Sequence, residues 1–396
     1  MSFLPTPHHL NIAVVGLGHL HPRLYMALFA VVPKVRVVAV VERDEALREA
    51  FVKDFGVTGY ADLTMMLEQE KPAIAAIFLP HVECPAAAIE CAKHGVHVMV
   101  EKPMAVSADA AQAMVTAARA AGVKLTTGYC WRMHPVAEEI RRLVADGVIG
   151  DVIGAEGRCA AGRLTRYLDG HAPWMLEKAK SGGGPLFNLG VHWIDLFRWI
   201  LQDEVAEVSG RNVRVNRYYD IEDNSFAHLR FAQGTVAALD ISYTVPDSFP
   251  HGRDLYISLR GTRGVLSWAP AYEGSKDVLQ ICSDDPVMGG SPVRSMEFNL
   301  EPAKGYSGYM GREYLRGFID AILHNSEPPI SGEDGVAALR VVEAVYQSAA
   351  EKRWVAVQPT PADVAGPNRL SSKRSSGPGG RAMKPRRKRR PAGKAG

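Results

Sequence analysis

The feature that most constrains the fold is the alternation of apolar, β-branched runs with helix-patterned segments over residues 10–128. The apolar runs are nearly continuous, which is typical of parallel strands covered by helices on both faces of their sheet. The predicted strands are Leu10–Val15, Val35–Val41, Ala73–Leu79, Val96–Val100 and Val123–Thr127. The predicted helices are one that begins near His21, then Asp44–Phe55, Pro85–His94 and Ala108–Ala121.

The pattern changes after Gly128. A helix, a strand and a long loop rich in Arg, Gly and aromatic residues lead to a second helix, and short strands joined by tight turns then dominate, which predicts antiparallel pairing. The predicted helices are Pro135–Asp146, Leu186–Leu201, Tyr309–His324 and Gly332–Glu351. The predicted strands are Val152–Ala160, Val208–Val215, Ser225–Phe231, Thr235–Tyr243, Asp254–Leu259, Gly264–Ser267 and Val278–Ile281.

These patterns predict an α/β chain with two folded domains and a tail. Residues 1–128 form a Rossmann-type, doubly wound parallel sheet. Residues 129–360 form an α+β domain with a large, open, mainly antiparallel sheet. Residues 361–396 form a disordered basic tail.

Charge separates the tail from the rest of the chain. Residues 366–396 contain eleven Lys and Arg and no Asp or Glu, whereas the remainder holds 35 Lys and Arg against 43 Asp and Glu. The tail has too few large apolar side chains to bury a core. We expect a solvated extension that is dispensable for folding, and the alternative is a segment that contacts nucleic acid or an acidic partner.

The apolar runs, the N-terminal segment and the cysteines indicate where in the cell the protein is expected to be. Apolar runs fall short of the roughly 20 residues that a membrane span needs, and Met1–Leu10 lacks the pattern of a signal peptide. The five cysteines are scattered and form no CxxC pair. We therefore expect a cytoplasmic protein without membrane contact, without a disulfide framework and without a zinc site.

A glycine-rich turn follows the first predicted strand. Gly16 permits the tight turn, Gly18 lets a pyrophosphate approach the backbone, and the following helix N-terminus offers free N–H groups. His21 stands where the usual fingerprint has a third small residue. Glu42 ends the second strand, where an acid binds the ribose hydroxyls. Because a carboxylate there repels a 2′-phosphate, NAD is favoured over NADP, although the adjacent Arg43 weakens this preference.

Glu101-Lys102-Pro103 follows the predicted strand Val96–Val100. Ligands of doubly wound sheets bind at this carboxyl end of the strands. An ammonium close to a carbinol can stabilise oxyanion character as hydride leaves. The alternative is a solvated Glu–Lys pair at a strand end.

The helix Leu186–Leu201 is apolar nearly all round, and its main polar exceptions are Asn188, His192 and Asp195. At about 100° per residue these three fall on one face, which suits a polar cleft. His192 is the natural proton acceptor, and the alternative is a buried histidine anchored by Asp195. No metal site is predicted, because no other histidine or carboxylate pair lies at ligand spacing from His192.

The segment before this helix supplies donors and aromatic rings of the kind that line sugar pockets. Its glycine-rich end, 181–185, is predicted to be a mobile strip that a ligand approaches, or a plain interdomain loop. The predicted substrate-binding residues are Arg163, Tyr167, Trp174, Asn188 and Asp195.

With these three motifs, the chain resembles the Gfo/Idh/MocA family over about residues 10–350. The resemblance implies hydride transfer between NAD(P) and a carbinol or ketone of a sugar, cyclitol or related polyhydroxy compound, with Lys102 catalytic and His192 as acid/base. It also implies that residues 1–128 bind NAD(P), and that residues 129–360 bind the substrate and contact other subunits in a homodimer or homotetramer. The cofactor-binding set is then Gly16, Gly18, His19, Leu20, Glu42, Arg43, Pro80, Glu101 and Lys102.

Two positions depart from the family pattern. Asn188 replaces an aspartate four residues before the histidine, so His192 has no negative charge from this position. Cys84, with His81 nearby, stands where a loop histidine is frequent. Two other functions therefore stay open: a glycosidase that uses transient NAD redox chemistry without releasing NADH, and a non-catalytic regulator that senses a sugar or dinucleotide.

Overall fold

A computed structural model describes residues 9–246, 248–271 and 276–359, and the predicted basic tail lies outside the described residues. Residues up to Gln358 form one compact unit that contains two sheets. The strands are β1 (Leu10–Val15), β2 (Val35–Val41), β3 (Thr58–Tyr60), β4 (Ile74–Ile77), β5 (His97–Val100), β6 (Leu125–Thr127), β7 (Val152–Ala161), β8 (Val205–Val213), β9 (Asn224–Phe231), β10 (Val236–Ser242), β11 (Arg253–Gly261), β12 (Gly264–Trp268), β13 (Asp277–Ser283), β14 (Val293–Phe298) and β15 (Val355–Ala356).

The helices begin and end at capping residues that the sequence supplies. The Asp44 side chain accepts a hydrogen bond from the first turn of α2, and Gly56 ends that helix in the left-handed region, at φ 64°. The helices are α1 (Pro22–Val31), α2 (Glu45–Phe55), α3 (Leu63–Glu70), α4 (Cys84–Lys93), α5 (Ala108–Ala121), α6 (Pro135–Ala145), α7 (Leu164–Asp169), α8 (Lys178–Ser181), α9 (Val191–Leu201), α10 (Gly308–Leu323) and α11 (Gly332–Glu351).

The first sheet is fully parallel, in the order β3-β2-β1-β4-β5-β6. Its central strands are buried along their whole apolar length, as in β4. The order reverses between β1 and β4, and this is the crevice in which doubly wound sheets bind their ligands. The predicted Rossmann-type domain is confirmed, with β3 and α3 as elements that the residue pattern did not predict.

The second sheet has nine strands, in the order β14-β13-β12-β11-β7-β10-β9-β8-β15. Its pairs are antiparallel except β7 with β10, which run parallel. The prediction of a mainly antiparallel sheet is confirmed, and the single parallel pair is new. The connection from β7 to β10 contains α9, which carries His192.

The segment predicted as a long loop before α9 is largely helical. It contains α7, α8 and a short 3-10 turn, Pro173–Leu176. The glycine strip is packed rather than open, because a Cβ on Gly184 would lie 1.9 Å from the Glu222 carbonyl oxygen. The Gly184 N–H also donates to the Glu222 carboxylate. Contrary to the prediction of a mobile strip, these glycines allow close packing against protein.

A π-helical turn, Leu186–Gly190, leads directly into α9, which lies on the nine-stranded sheet. Gly157 in β7 makes this approach possible, since a Cβ there would lie 2.2 Å from the Trp193 ring. Apolar side chains thus hold one side of α9 on the sheet. Among the described residues, no helix is both long and apolar enough to cross a membrane.

A buried ion network fixes the other side of α9. The Arg132 guanidinium donates to both oxygens of Asp195, at 2.8 and 2.5 Å, and lies 2.9 Å from Asp334 in α11. Burial raises the pKa of Asp195 to about 6. For Asp334 the burial penalty is outweighed by Arg132 and Arg198, which bring its pKa to about 2. The network joins α9 and α11 to the turn that follows the parallel sheet.

The last helix, α11, returns to the N-terminal half and packs against both α5 and β8. The Ala108 N–H at the start of α5 donates to Glu343, and Arg119 pairs with Glu333. Gly335 lies so close to Met104 that a Cβ would be 2.3 Å from its sulfur atom. The two sheets therefore share a helix layer.

Arg132→Met should lower the free energy of unfolding by about 3–5 kcal/mol, because it leaves the buried Asp195 carboxylate without its partner. Urea denaturation at neutral pH measures this change. The control is Arg142→Met, whose exposed pairs with Glu139 and Asp146 should contribute about 1 kcal/mol or less. An equal decrease in the free energy of unfolding in the two variants would contradict a stabilising role for the buried ion network.

Candidate active site

Lys102 is the buried centre of the site. It follows β5, is 3 % exposed, and donates from Nζ to the backbone oxygen and Oδ1 of Asn188, at 2.9 and 2.6 Å. Burial lowers the pKa of Lys102, against the opposing effect of the Glu101 charge. The alternative of a solvated strand-end pair is wrong, because Lys102 is buried and bonded across the two halves of the chain.

Asn188 connects Lys102 to two tyrosines. Its Nδ2 donates to the hydroxyls of Tyr167 and Tyr243, at 2.7 and 2.8 Å. Since an ammonium can only donate, the amide oxygen must face Lys102, and this settles the amide orientation. The amide hydrogens thus occupy one acceptor position on each phenol. Residue patterning missed Tyr243, because a tyrosine in a strand is ordinary.

His192 lies in α9, one turn beyond Asn188, and is 6 % exposed. Its Nδ1 has no hydrogen-bond partner in the part of the chain that the structure describes. Burial, followed by electrostatic interaction with Lys102 and with His21, lowers its pKa well below the usual value. His192 is therefore neutral at neutral pH and able to accept a proton.

Asp195 neither anchors His192 nor lies free to bind substrate. Both of its oxygens accept from Arg132, and the residue is 1 % exposed. Binding a substrate hydroxyl would require breaking this buried ion pair. The predictions for Asp195 as a histidine anchor and as a substrate ligand are thus not supported.

Three further histidines surround Glu101. His21 Nδ1 lies 3.3 Å from Glu101 Oε2, and the rings of His19 and His21 are in edge contact. His81 Nδ1 is 2.8 Å from the Ser181 backbone oxygen, with its ring against Trp174. The sequence showed only that His21 replaces a small residue and that His81 is near Cys84. The structure places the rings of both histidines at the site.

The glycine turn has the shape that a dinucleotide requires. Gly16 has φ 89°, and a Cβ there would lie 2.8 Å from the Leu79 side chain. At Gly18 the space beyond the backbone is open, so a phosphate can approach. Glu42 lies beside the turn, where it accepts from the Leu17 N–H at 2.7 Å. Together with the unpartnered polar atoms of Glu101, these residues fit a dinucleotide.

The second half of the chain covers this turn. The Trp174 indole N–H donates to the Gly18 oxygen at 2.6 Å, and Gly170 packs against Leu20. Tyr167 and Trp174 belong to a small apolar cluster that Leu20 contacts. The turn, Lys102, Asn188 and the two aromatic residues are therefore brought together.

Other predicted residues lie at the margins. Arg43 is exposed and 3.5 Å from Glu83, and Pro80 accepts hydrogen bonds from the turn that begins α4. Arg163 donates to the backbone oxygens of Val245 and Pro246. Cys84 lies buried at the start of α4, where burial raises the pKa of its thiol.

Comparison with known proteins agrees with this architecture. Residues 10–129 match the model of the oxidoreductase family with an NAD-binding Rossmann fold, and residues 137–267 match the GFO/IDH/MocA C-terminal domain. The chain is 31 % identical over 275 residues to 1,5-anhydro-D-fructose reductase of Ensifer adhaerens, with 68 % of this chain and 74 % of the relative covered. The chain belongs to the Gfo/Idh/MocA family of oxidoreductases.

Two further relatives extend the similarity over nearly their whole length. Myo-inositol 2-dehydrogenase of Thermotoga maritima is 26 % identical, with 88 % of this chain and 99 % of the relative covered. The crystal structure of aldose-aldose oxidoreductase from Caulobacter crescentus, complexed with glycerol, has 25 % identity and a TM-score of 0.74, with 88 % and 99 % covered. The predicted family, fold and NAD(P)-dependent oxidoreductase class are confirmed.

The buried histidines should make this protein sensitive to mild acid. Burial lowers the pKa values of His19, His21, His81 and His192, that of His81 to about 4, whereas an unfolded histidine titrates near about 6.5. The unfolded chain therefore binds more protons below this pH. The free energy of unfolding should fall with decreasing pH, by up to about 1.4 kcal/mol per pH unit for each histidine.

Denaturant titrations between pH 7.5 and 5.5 measure this slope. His81→Asn should reduce the slope by about one proton's contribution, whereas His94→Asn, at an exposed position, serves as the surface control. A stability that is flat over this range would refute the assignment of buried, neutral histidines.

Proposed function

We propose that this protein is an NAD-dependent dehydrogenase that oxidises a carbinol of a sugar, cyclitol or related polyhydroxy compound, and reduces the ketone in reverse. The observation that carries the proposal is the buried contact of Lys102 with Asn188, one helical turn from the unpartnered His192. Lys102 follows β5, at the carboxyl end of the parallel sheet that the family uses for NAD. The names of the relatives, which include sugar and inositol oxidoreductases, support the substrate class.

Bound NAD supplies the hydride acceptor. The protein's part is to hold the carbinol and to move its proton. Lys102 polarises the reacting oxygen with a charge that burial makes strong. His192, neutral and unpartnered at Nδ1, accepts the hydroxyl proton. Asn188 keeps Lys102 in place and, through Tyr167, aligns a neighbouring hydroxyl.

The remaining predicted residues bind either the substrate or the NAD cofactor in this proposal. Trp174 and Tyr167 supply ring faces and a hydroxyl for the substrate, and Arg163 lies at the edge of this surface. The proposed cofactor residues are the glycine turn and the strand ends beside it: Gly16, Gly18, His19, Leu20, Glu42, Arg43, Pro80, Glu101 and Lys102. The corresponding domain division is 1–128 for the cofactor and 129–360 for the substrate.

A homodimer or homotetramer is part of the same proposal. The outer face of the nine-stranded sheet exposes Phe226 and Val236, at 44 % and 38 %. Phe226 pairs with Asp240 in the sheet register, so both apolar side chains lie on neighbouring strands of one face. A second copy packed on this face would bury them. The proposal also includes a cytoplasmic location.

Lys102→Met and His192→Ala should each reduce turnover by about 10²–10⁴-fold, the usual scale for a positioned acid or base. NAD affinity should change far less, because neither residue holds the adenine half. The combined loss should be smaller than the product of the single losses, since both act on one oxygen and its proton. Steady-state kinetics on a substrate found by screening sugars, inositols and sugar acids provide the measurement.

Two exposed neighbours offer matched controls: Lys93→Met and His94→Ala on α4 and its end. Both should retain full turnover. Asn188→Asp is the companion variant: its negative charge should raise the pH at which His192 loses its proton, and the acidic limb of the rate profile should move upward. Near-normal turnover in Lys102→Met or His192→Ala would remove that residue from the mechanism.

Glu42 should make NAD bind more tightly than NADP, because its carboxylate repels a 2′-phosphate. Glu42→Ser should narrow this difference, and calorimetry with both cofactors measures it. The variant also removes the bond to the Leu17 N–H, so a melting curve must accompany it. Tighter NADP binding by the unmodified protein would contradict the proposal.

A further inference from the structure

Three metal-binding side chains lie together beside the glycine turn. His19 and His21 come from the turn after β1, and Glu101 follows β5. One ligand atom from each lies within 4.8 Å of the other two. All three residues are buried, with exposures of 5, 6 and 3 %.

Their polar atoms lack partners within the protein. Over residues 9–246, 248–271 and 276–359, His19 Nε2, His21 Nδ1 and both oxygens of Glu101 have no hydrogen bond. The adjacent Lys102 interacts with the Glu101 charge, but its ammonium donates its hydrogen bonds to Asn188. A buried carboxylate without a donor is strongly unfavourable. The cluster therefore calls for a ligand that carries positive charge.

The spacing fits a shared metal ion. His21 Nδ1 and Glu101 Oε2 are 3.3 Å apart without forming a hydrogen bond. Two ligands with bonds of about 2.0–2.1 Å at a tetrahedral angle lie about 3.4 Å apart. A neutral imidazole keeps one ring nitrogen lone pair for coordination.

We propose that His19, His21 and Glu101 bind one divalent transition-metal cation of the zinc class. Two imidazoles and one carboxylate suit Zn²⁺, Co²⁺ or Fe²⁺ better than Mg²⁺ or Ca²⁺, which prefer oxygen ligands. Three protein ligands leave at least one coordination position open, as in catalytic rather than structural sites. This inference goes beyond the proposed dehydrogenase function, and it assigns a second ligand to two side chains, His19 and Glu101, that also belong to the proposed cofactor set.

Coordination requires one local change. His19 Nδ1 now accepts from the His21 N–H at 3.1 Å, so the neutral ring carries its proton on Nε2. Binding a metal through Nε2 moves that proton to Nδ1 and ends this hydrogen bond. Three metal–ligand bonds, one from Glu101 and one from each imidazole, replace this hydrogen bond.

The position links the metal to the cleft. The cluster spans from the end of β1 to the end of β5, across β4. An open coordination position here would accept an oxygen of a polyhydroxy compound.

The test uses the full chain, stripped with a chelator and titrated by calorimetry with Zn²⁺ and with Co²⁺. One equivalent should bind to each protein, and Co²⁺ should develop visible absorption typical of mixed nitrogen and oxygen ligands. Mg²⁺ should bind at least about 100-fold more weakly. Absence of a stoichiometric Zn²⁺ or Co²⁺ site would overturn the proposal.

Variants distinguish this site from surface binding. Glu101→Gln, which keeps the side-chain shape, and His21→Asn should each weaken Zn²⁺ binding by about 100-fold or more. His94→Asn, which removes a surface histidine beside Glu90, should leave it unchanged. Metal binding that survives both cluster variants, or is lost in His94→Asn, would place the ion elsewhere.

Melting curves cover the case in which a variant folds poorly. A cation that binds only the folded chain raises the melting temperature. Zn²⁺ should therefore raise it in the unmodified protein and in His94→Asn, and should fail to raise it in Glu101→Gln. An equal rise in Glu101→Gln would refute the site. No substrate is used, so failure here is separate from failure of the dehydrogenase proposal.

Discussion

The contact between Lys102 and Asn188 is the interaction on which the rest of the site depends. It joins a residue that follows the parallel sheet to a helix that lies on the second sheet, and it does so inside the protein. A buried ammonium must have acceptors, and both acceptors come from one residue of the other half. This buried charge therefore helps to fix the relative position of the two halves, together with the Arg132 network and the packing of α11.

The identity of residue 188 determines what this contact can do. An aspartate there would form an ion pair with Lys102 and would accept hydrogens from the tyrosines. The amide accepts from Lys102 and donates to both phenols instead. Asn188 therefore does not neutralise the Lys102 charge. Because an amide cannot accept the substrate proton, His192 is left as the proposed proton acceptor. A departure from the family pattern is thus accommodated by a complete set of hydrogen bonds.

The fold was predictable from sequence because its signals are local. Apolar runs, Asp44 as a cap and Gly16 in a turn act within a few residues. The polar stripe of the predicted helix Leu186–Leu201 also singled out Asn188 and His192, which the structure places near Lys102. The same stripe misassigned Asp195, since helical periodicity shows which residues share a face but not which partner each meets. That partner, Arg132, comes from a distant turn.

The grouping of the histidines around Glu101 was not predicted, for a related reason. His19 and His21 are close in sequence, but Glu101 reaches them only because β1, β4 and β5 lie side by side. The parallel pairing of β7 with β10 was equally invisible, because strand patterning does not reveal direction. Residue patterns therefore do not predict which distant residues come into contact, and the tertiary structure is needed to show it.

The return of α11 to the first sheet has a consequence for synthesis. The ribosome delivers β1 to β6 and α5 first, and α11 is the last helix to appear. Until then the surface around Met104 and Val115, which Gly335 and Gly332 later cover, is open to water and to other chains. The nucleotide-binding half thus cannot complete its own surface as it emerges. Its final folding waits until α11 has been synthesised, and the unfinished intermediate is one that chaperones are suited to protect.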